Sequence, residues 1–258
     1  MTAMTKDFFP LKLLLNPYET CVEIAAGKTG WFWPLASFCA STTASTLLLC
    51  SLPPDFLAEV TGGMALVSGK NFWWHAAVGL SGALGFTLFF CSLLAAFLPF
   101  IKSGRLPLRL AFLVFATAAY GFFFLLPFKA APVYTGAARL LAVMAAGFAV
   151  WTAAVNKHHY TRLVKAVMSL SLITLAADIS GAAAALSGSV TAYNTIQYLF
   201  AVLALAYLAK AASAFFKTST ARTTAAIIPA MLASAAFLFS LSSLGLLSPD
   251  IFQVLLLI

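Results

Sequence analysis

The sequence predicts an all-α membrane protein, a polytopic bundle of about seven transmembrane helices with a cytoplasmic N-terminus. Of the 258 residues, 62% are hydrophobic and only 9% are charged, which excludes an ordinary soluble domain. The chain contains seven apolar runs, and about 20 such residues are needed to cross the hydrocarbon layer. Lysine and arginine also alternate between successive loops, as expected of a chain that crosses a membrane repeatedly.

Residues 1–30 are predicted to form a cytoplasmic, interfacial amphipathic segment. Asn16 is a good N-cap, Pro17 suits the first helical position, and Gly27 is placed to end the helix between them. The apolar run at residues 8–15 is too short to span and is expected in the same interface. Four residues of the helix share one stripe, which we expect to lie on the membrane surface. They are Tyr18, Cys21, Val22 and Ala25.

Residues 31–258 are predicted to form the transmembrane bundle. The first span begins at the aromatic residues Trp31, Phe32 and Trp33, which mark the headgroup level. The fourth span is the shortest and its boundary with the third, at residues 127–136, is the least defined, so five or six spans are the alternatives. The seven predicted spans are residues 31–52, 76–101, 108–128, 138–155, 166–186, 191–209 and 224–247.

The net charge of +8 follows topology and does not form a single basic patch, so no nucleic-acid partner is predicted. With the N-terminus inside, twelve Lys and Arg residues fall in inner segments and three in outer loops, which places the C-terminus outside. The three outer residues are Lys70, Lys129 and Arg139. The inner residues are Lys6, Lys12, Lys28, Lys102, Arg105, Arg109, Lys157, Arg162, Lys165, Lys210, Lys217 and Arg222.

Two short segments outside the spans also have predicted structures. In the outer loop at residues 53–75, the residues from Asp55 onward are predicted to form a short surface helix that ends at Gly62 or Gly63. The apolar tail at residues 251–258 is too short to cross and is expected in the outer interface or between helices.

Asp178 is the only acidic residue well inside a predicted span, where an ionised carboxylate costs roughly 2.5 to 3.5 kcal/mol. It shares a helix face with small and polar residues, among them Thr174, and the next span offers Asn194 and Tyr198. Two interpretations stay open. The carboxyl group is either a proton or cation site in the bundle interior, or a hydrogen-bonded group that joins two helices.

No pattern in the sequence indicates a catalytic centre, a metal site or a cofactor site. The four cysteines form no CxxC pair, and the adjacent His158 and His159 point about 100° apart on a helix, unlike a metal-binding i, i+4 pair. Phosphate-binding glycine loops, HExxH and a nucleophile triad are absent from the sequence. We therefore predict a non-enzymatic protein without metal or cofactor.

A family resemblance is carried by residues 13–35, LLLNPYETCVEIAAGKTGWFWPL. This segment resembles the N-terminus of bacterial Yip-domain proteins, relatives of the Ypt-interacting proteins, in which an Asn-Pro step and a short amphipathic helix lead into the first span. Residues 151–186 and 208–247 resemble that family's later membrane hairpins. The resemblance implies a multi-span protein of a bacterial inner membrane that organises membranes or binds partners.

Two functions from different classes are therefore expected. The first is a non-enzymatic scaffold, assembly or membrane-organising subunit that binds other membrane proteins or itself. The second is a transporter or channel subunit that uses Asp178 as an intramembrane proton or cation site.

Overall fold

A computed structural model describes residues 9–64, 66–67, 69–125 and 132–257. Within these ranges the regular structure consists of eleven helices. Four of them are short: α1 (Phe9–Leu15), α2 (Pro17–Ala25), α4 (Pro54–Val60) and α11 (Pro249–Leu257). Seven are long: α3 (Phe32–Ser51), α5 (Phe72–Lys102), α6 (Leu106–Phe123), α7 (Pro132–Val155), α8 (Lys157–Leu186), α9 (Val190–Phe216) and α10 (Thr220–Ser243).

The seven long helices are each long and apolar enough to cross a membrane. The predicted fold class, an all-α polytopic membrane protein, is therefore confirmed, and one long helix overlaps each of the seven predicted spans. The helices α5 and α8, of 31 and 30 residues, are longer than predicted. At 1.5 Å per residue each is about 45 Å long, more than the roughly 30 Å of hydrocarbon, so their ends reach the interface. Residues 126–128 of the predicted third span and Lys129 lie outside the described residues.

The chain divides into two compact units, which are described separately. Unit 1 comprises residues 1–84, 165–211 and 253–258, and unit 2 comprises residues 85–164 and 212–252. The helices α5, α8, α9 and α11 each contribute residues to both units.

In unit 1, the short helix α4 packs against the ends of α3, α8 and α9. Phe56 and Leu57 of α4 are buried, and the ring of Phe56 meets that of Tyr193 edge-on, with 5.7 Å between centroids. The helix ends where predicted, because Gly62 and Gly63 follow it with φ of 67° and 94°, a backbone region that favours glycine. The predicted short helix is thus present, but its apolar face is buried in protein instead of lying on a membrane surface.

The C-terminal tail forms α11, and its residues 253–257 belong to unit 1. Val254 is fully buried, and Leu255 lies on Gly82 of α5, so closely that a Cβ atom at Gly82 would be 1.7 Å from the Leu255 Cδ2. The tail therefore packs against a helix, which is one of the two predicted placements.

In unit 2, α10 packs along α6, and residues of α5 and α7 complete the core. The Tyr120 hydroxyl of α6 lies 2.9 Å from the Ser240 hydroxyl of α10. The rings of Phe89 and Phe237 stack with 4.2 Å between centroids. A small cluster of buried residues, Phe124, Ala138 and Ala142, joins the end of α6 to α7.

Candidate functional site

The buried carboxyl group of Asp178 lies where three helices of unit 1 meet. Its Oδ2 accepts a hydrogen bond of 2.5 Å from the Ser45 hydroxyl of α3, and its Oδ1 accepts a longer one, of 3.5 Å, from the Gln197 amide of α9. Asp178 is only 7% exposed. One carboxyl group on α8 is therefore linked to the helices on both sides of it, which satisfies the requirement that a buried polar group be hydrogen-bonded.

Glycine at position 181 lets α9 approach the carboxyl group. A Cβ atom at Gly181 would lie 2.9 Å from the Gln197 Nε2 and 3.1 Å from a ring carbon of Tyr193. Small residues bring membrane helices close enough for such interhelical hydrogen bonds. The glycine one turn beyond Asp178 thus sets the distance at which Gln197 reaches it.

The partners of Asp178 differ from the residues that the sequence indicated. Thr174 is exposed, and Asn194 is half-buried one turn away from the residue that bonds the carboxyl group. Tyr198 is 70% exposed. Among the described residues, the hydrogen bonds to Asp178 come from Ser45 and Gln197 in place of Thr174, Asn194 or Tyr198. Asp178 lies at the edge of the buried face of α8. Part of the helix face that the sequence predicted around it, including Thr174, is therefore exposed.

A pattern in the sequence could have indicated Ser45 as a residue that contacts another helix. Ser45 belongs to a row of hydroxyl residues spaced four apart on α3, together with Ser37 and Ser41, which are both buried. Such a row on a spanning helix indicates a face that packs on another helix. The Ser45 hydroxyl lies 3.1 Å from the Ser41 carbonyl oxygen as well as near Asp178, so it has an alternative acceptor within its own helix.

This arrangement holds helices together, and the Tyr193 hydroxyl pairs with the Gln197 side chain beside it. Among residues 9–64, 66–67, 69–125 and 132–257, no group of three or more His, Cys, Asp and Glu side chains is close enough to hold a metal ion. Nor does any Lys, Arg or His within this part of the chain form a salt bridge with Asp178. The described groups that donate hydrogen bonds to this carboxyl group, Ser45 and Gln197, are thus both neutral.

A second candidate site is the N-terminal segment formed by α1 and α2, which is docked on unit 1. The Lys12 ammonium forms a salt bridge of 2.5 Å with Glu23, which ties α1 to α2. The ring of Phe9 stacks on Trp33 at the start of α3, with 6.3 Å between centroids. These contacts fix the segment against the first spanning helix.

A lysine of α8 holds the residues that follow α2, and a lysine of α9 contacts α2 itself. The Lys165 ammonium donates a hydrogen bond of 2.8 Å to the Thr29 carbonyl and lies 4.9 Å from the centre of the Trp31 ring. The Lys210 ammonium lies 5.8 Å from the centre of the Tyr18 ring. Cation–π contacts of this kind are worth about 0.5 to 1 kcal/mol at exposed sites. The basic residues predicted for the inner side therefore also position the N-terminal helices.

The ends of α2 follow the predicted positions, although the N-terminal cap differs. Pro17 is the first residue of α2, but the Asn16 side chain makes no capping hydrogen bond. Instead, the Thr20 hydroxyl donates to the Asn16 carbonyl. At the other end Gly27 has φ of 75°, and the Gly27 and Lys28 amides donate to the Ile24 and Glu23 carbonyls. This is a Schellman ending, for which glycine is favoured.

The predicted stripe of α2 is divided between two environments. Cys21 is fully buried, together with Thr20 and Ile24, because this face of α2 packs on the protein. Burial raises the pKa of the Cys21 thiol to about 12. Tyr18 and Val22 are 48% and 38% exposed, while the side chain of Ala25 lies outside the described part of the structure.

The exposed residues of α1 and α2 form an apolar stripe of their own. It consists of Leu11, Leu14, Leu15, Tyr18 and Val22, and we call it the N-terminal stripe. Its members recur at intervals of three and four residues, and Leu15 is 70% exposed. A contiguous apolar surface on a fixed element marks a site of contact with a protein or a membrane.

Comparison with known proteins identifies no family for this chain. No protein-family model, curated protein or solved structure matches this chain.

Proposed function

We propose that the protein is a non-enzymatic scaffold or assembly subunit of its membrane, and that the N-terminal stripe binds another membrane protein. The observation that carries the proposal is that this stripe stays exposed on a segment that the protein holds in place. The Lys12–Glu23 salt bridge joins α1 to α2, the Phe9 ring stacks on Trp33 of α3, and the Lys210 ammonium lies over the Tyr18 ring. Such preorganisation lowers the entropy that a binding surface loses on association.

The composition of the stripe supports a protein partner. Tyr18 offers a large ring with a polar hydroxyl, and tyrosine is enriched in protein interfaces. Leu11, Leu14 and Val22 surround it with aliphatic surface, which is the usual environment of an interface anchor. The resemblance of residues 13–35 to bacterial Yip-domain proteins supports the same proposal, and with it a bacterial inner membrane and a cytoplasmic N-terminus.

The test is extraction into native nanodiscs followed by mass spectrometry of proteins that co-purify in fixed stoichiometry. The double variant Leu15→Gln, Tyr18→Gln removes apolar surface from the stripe, whereas Glu19→Gln changes an exposed neighbour that lies outside it. We expect a stoichiometric partner with the wild type and with Glu19→Gln, and its loss with the double variant. Equal recovery from all three proteins would contradict the role of the stripe.

A transporter or channel subunit is the second candidate, and the buried Asp178 is the observation that favours it. Its carboxyl group is bonded to Ser45 and Gln197 and forms no salt bridge with a described residue. Intramembrane carboxyl groups without a cation occur in proton and cation pathways. Proton-coupled flux in liposomes that is abolished by Asp178→Asn would establish this function. An unchanged flux in the variant leaves Asp178 as a group that joins helices.

A further inference from the structure

A cavity of about 560 Å³ lies among α5, α6, α7 and α10 of unit 2. This volume falls within the range of small-molecule sites, roughly 300 to 1,000 Å³. Two of its lining residues, Phe112 and Trp151, are 61% and 60% exposed, so the cavity is reached from the lipid-facing side of the helices. An occupant that enters from the bilayer can therefore fill it.

The lining of the cavity suits an apolar occupant. Most of it consists of Phe, Leu, Ala and Trp side chains, and three of its polar side chains have partners within the protein. The Tyr120 hydroxyl pairs with Ser240, the Thr152 hydroxyl lies 2.9 Å from the Ala149 carbonyl oxygen, and the Asn156 amide donates to the Thr152 carbonyl. No polar ligand is needed to satisfy these groups, whereas an acyl chain would bury apolar surface.

One end of the cavity adjoins a group of cations. Phe100 and Asn156 line this end, and Lys102 and Lys157 follow them closely in the sequence. The Arg109 guanidinium lies 4.9 Å from the centre of the Phe100 ring, donates to the Phe100 carbonyl and donates a hydrogen bond of 2.6 Å to the Ser103 hydroxyl. We call the cations of this end the basic rim. They are Lys102, Arg109, Lys157 and Arg222.

Helix ends hold part of the basic rim in place. The Lys102 ammonium donates a hydrogen bond of 2.8 Å to the Phe216 carbonyl at the end of α9. The Arg222 guanidinium donates to the Ile101 carbonyl, at 3.0 Å, and to the Lys102 carbonyl at the end of α5. Cations are favoured at helix C-termini, where carbonyl groups lack partners. The positions of these charges are thus set before any ligand arrives.

Unit 2 itself supplies almost no negative charge to balance the basic rim. By sequence, unit 2 contains nine Lys and Arg residues and one acidic residue, Asp250, whereas unit 1 contains six of each. The whole net charge of +8 therefore belongs to unit 2. Asp250 follows the far end of α10, whose 24 residues extend about 36 Å from the rim. The charge of unit 2 therefore favours an anionic ligand at this end.

We propose that the cavity binds an acyl chain of an anionic phospholipid, whose phosphate lies at the basic rim beside Arg109. The apolar lining receives the chain, and the rim supplies the charge complementarity. Basic pockets between membrane helices bind acidic lipid headgroups in this way, and each cation near an anionic surface strengthens such binding about fivefold. This inference is independent of the N-terminal stripe and of the proposed function.

The proposal is tested on the full chain in nanodiscs with a phosphatidylglycerol that carries a photoactivatable diazirine on its acyl chain. Mass spectrometry then maps the labelled residues. We expect labelling at lining residues such as Phe112 and Trp151, competed by unlabelled phosphatidylglycerol at least about fivefold better than by phosphatidylcholine. Inorganic phosphate at millimolar concentration should not compete. Equal competition by both lipids, competition by phosphate, or labelling spread evenly over all lipid-facing helices would overturn the proposal.

Matched variants separate the chain site from the headgroup site. Ala233→Phe fills the cavity, whereas Ala235→Phe adds the same ring at an exposed position of α10 outside the lining. Labelling should fall several-fold in the first variant only. Arg109→Gln should lower the preference for phosphatidylglycerol about fivefold, whereas Arg139→Gln, near the opposite end of α7, should leave it unchanged. Equal labelling of the two alanine variants, or equal lipid preference of the two arginine variants, would overturn the proposed lipid site. The lipid competition on the wild type tests the same proposal without depending on how the variants fold.

Discussion

Substitution of Asp178 tests whether its carboxyl group joins helices or serves transport. In Asp178→Ala the Gln197 amide loses its acceptor, and the Ser45 hydroxyl retains only the Ser41 carbonyl. Hydrogen bonds between membrane helices contribute about 0.6 kcal/mol on average and up to about 1.7. Loss of two such bonds lowers the free energy of unfolding by about 1 to 3 kcal/mol.

Asparagine preserves both contacts in a different form. The Asp178→Asn side chain accepts from Gln197 through its oxygen and donates to the Ser45 hydroxyl, which then donates to the Ser41 carbonyl. The expected loss of stability is below about 0.5 kcal/mol, because the number of hydrogen bonds is unchanged.

The assay is reversible unfolding in mixed micelles by SDS, followed by circular dichroism. Thr174→Ala is the matched control on the same helix, since Thr174 is exposed, and it should change stability by no more than about 0.5 kcal/mol. If Asp178→Asn loses as much stability as Asp178→Ala, or if Asp178→Ala loses none, the role of Asp178 as a hydrogen-bonded link between helices is refuted.

Two further predictions concern packing. Burial raises the pKa of the Cys21 thiol to about 12 from an ordinary value near 9. Alkylation of this thiol by maleimide at neutral pH should therefore be about a thousandfold slower than that of an exposed cysteine, because the thiolate is the reactive form. The rate should rise with pH up to that pKa, and SDS should restore it. Gly82→Ala should lower the thermal midpoint and expose α11 to carboxypeptidase, because the added Cβ would overlap Leu255. The matched variant Gly85→Ala should raise the free energy of unfolding by up to about 1 kcal/mol, because its Cβ would have no atom within 4 Å. Fast Cys21 labelling, or equal effects of the two glycine variants, would contradict this packing.

The parts of the fold that depend on local sequence could be predicted. The length of each apolar run identified seven spanning helices, and the glycine at position 27 identified the end of α2, because a left-handed residue is required there. The short helix α4 was predicted because Asp55 is placed to begin it and Gly62 and Gly63 are placed to end it. Each of these features is fixed by residues close together in the chain.

Features that depend on tertiary contacts were not predictable in the same way. Periodicity showed that Tyr18 and Cys21 share a stripe, but it did not show that Cys21 faces protein while Tyr18 is exposed, since both environments are apolar. Similarly, Asp178 was identified as a buried carboxyl group that needs a partner. Its shorter hydrogen bond comes from Ser45, 133 residues away. The row of hydroxyl residues on α3 marks a face that packs on another helix, but it does not show that this face meets Asp178.

The most direct test of the proposed function is photo-crosslinking in native membranes with benzoylphenylalanine at position 18. Tyr18 belongs to the N-terminal stripe, and the same probe at the exposed neighbour Glu19 is the control. We predict that the probe at position 18 crosslinks one other protein of defined mass, and that the probe at position 19 does so far less. Crosslinks from position 18 to lipid alone, or equal yields from both positions, would contradict a protein-binding N-terminal stripe.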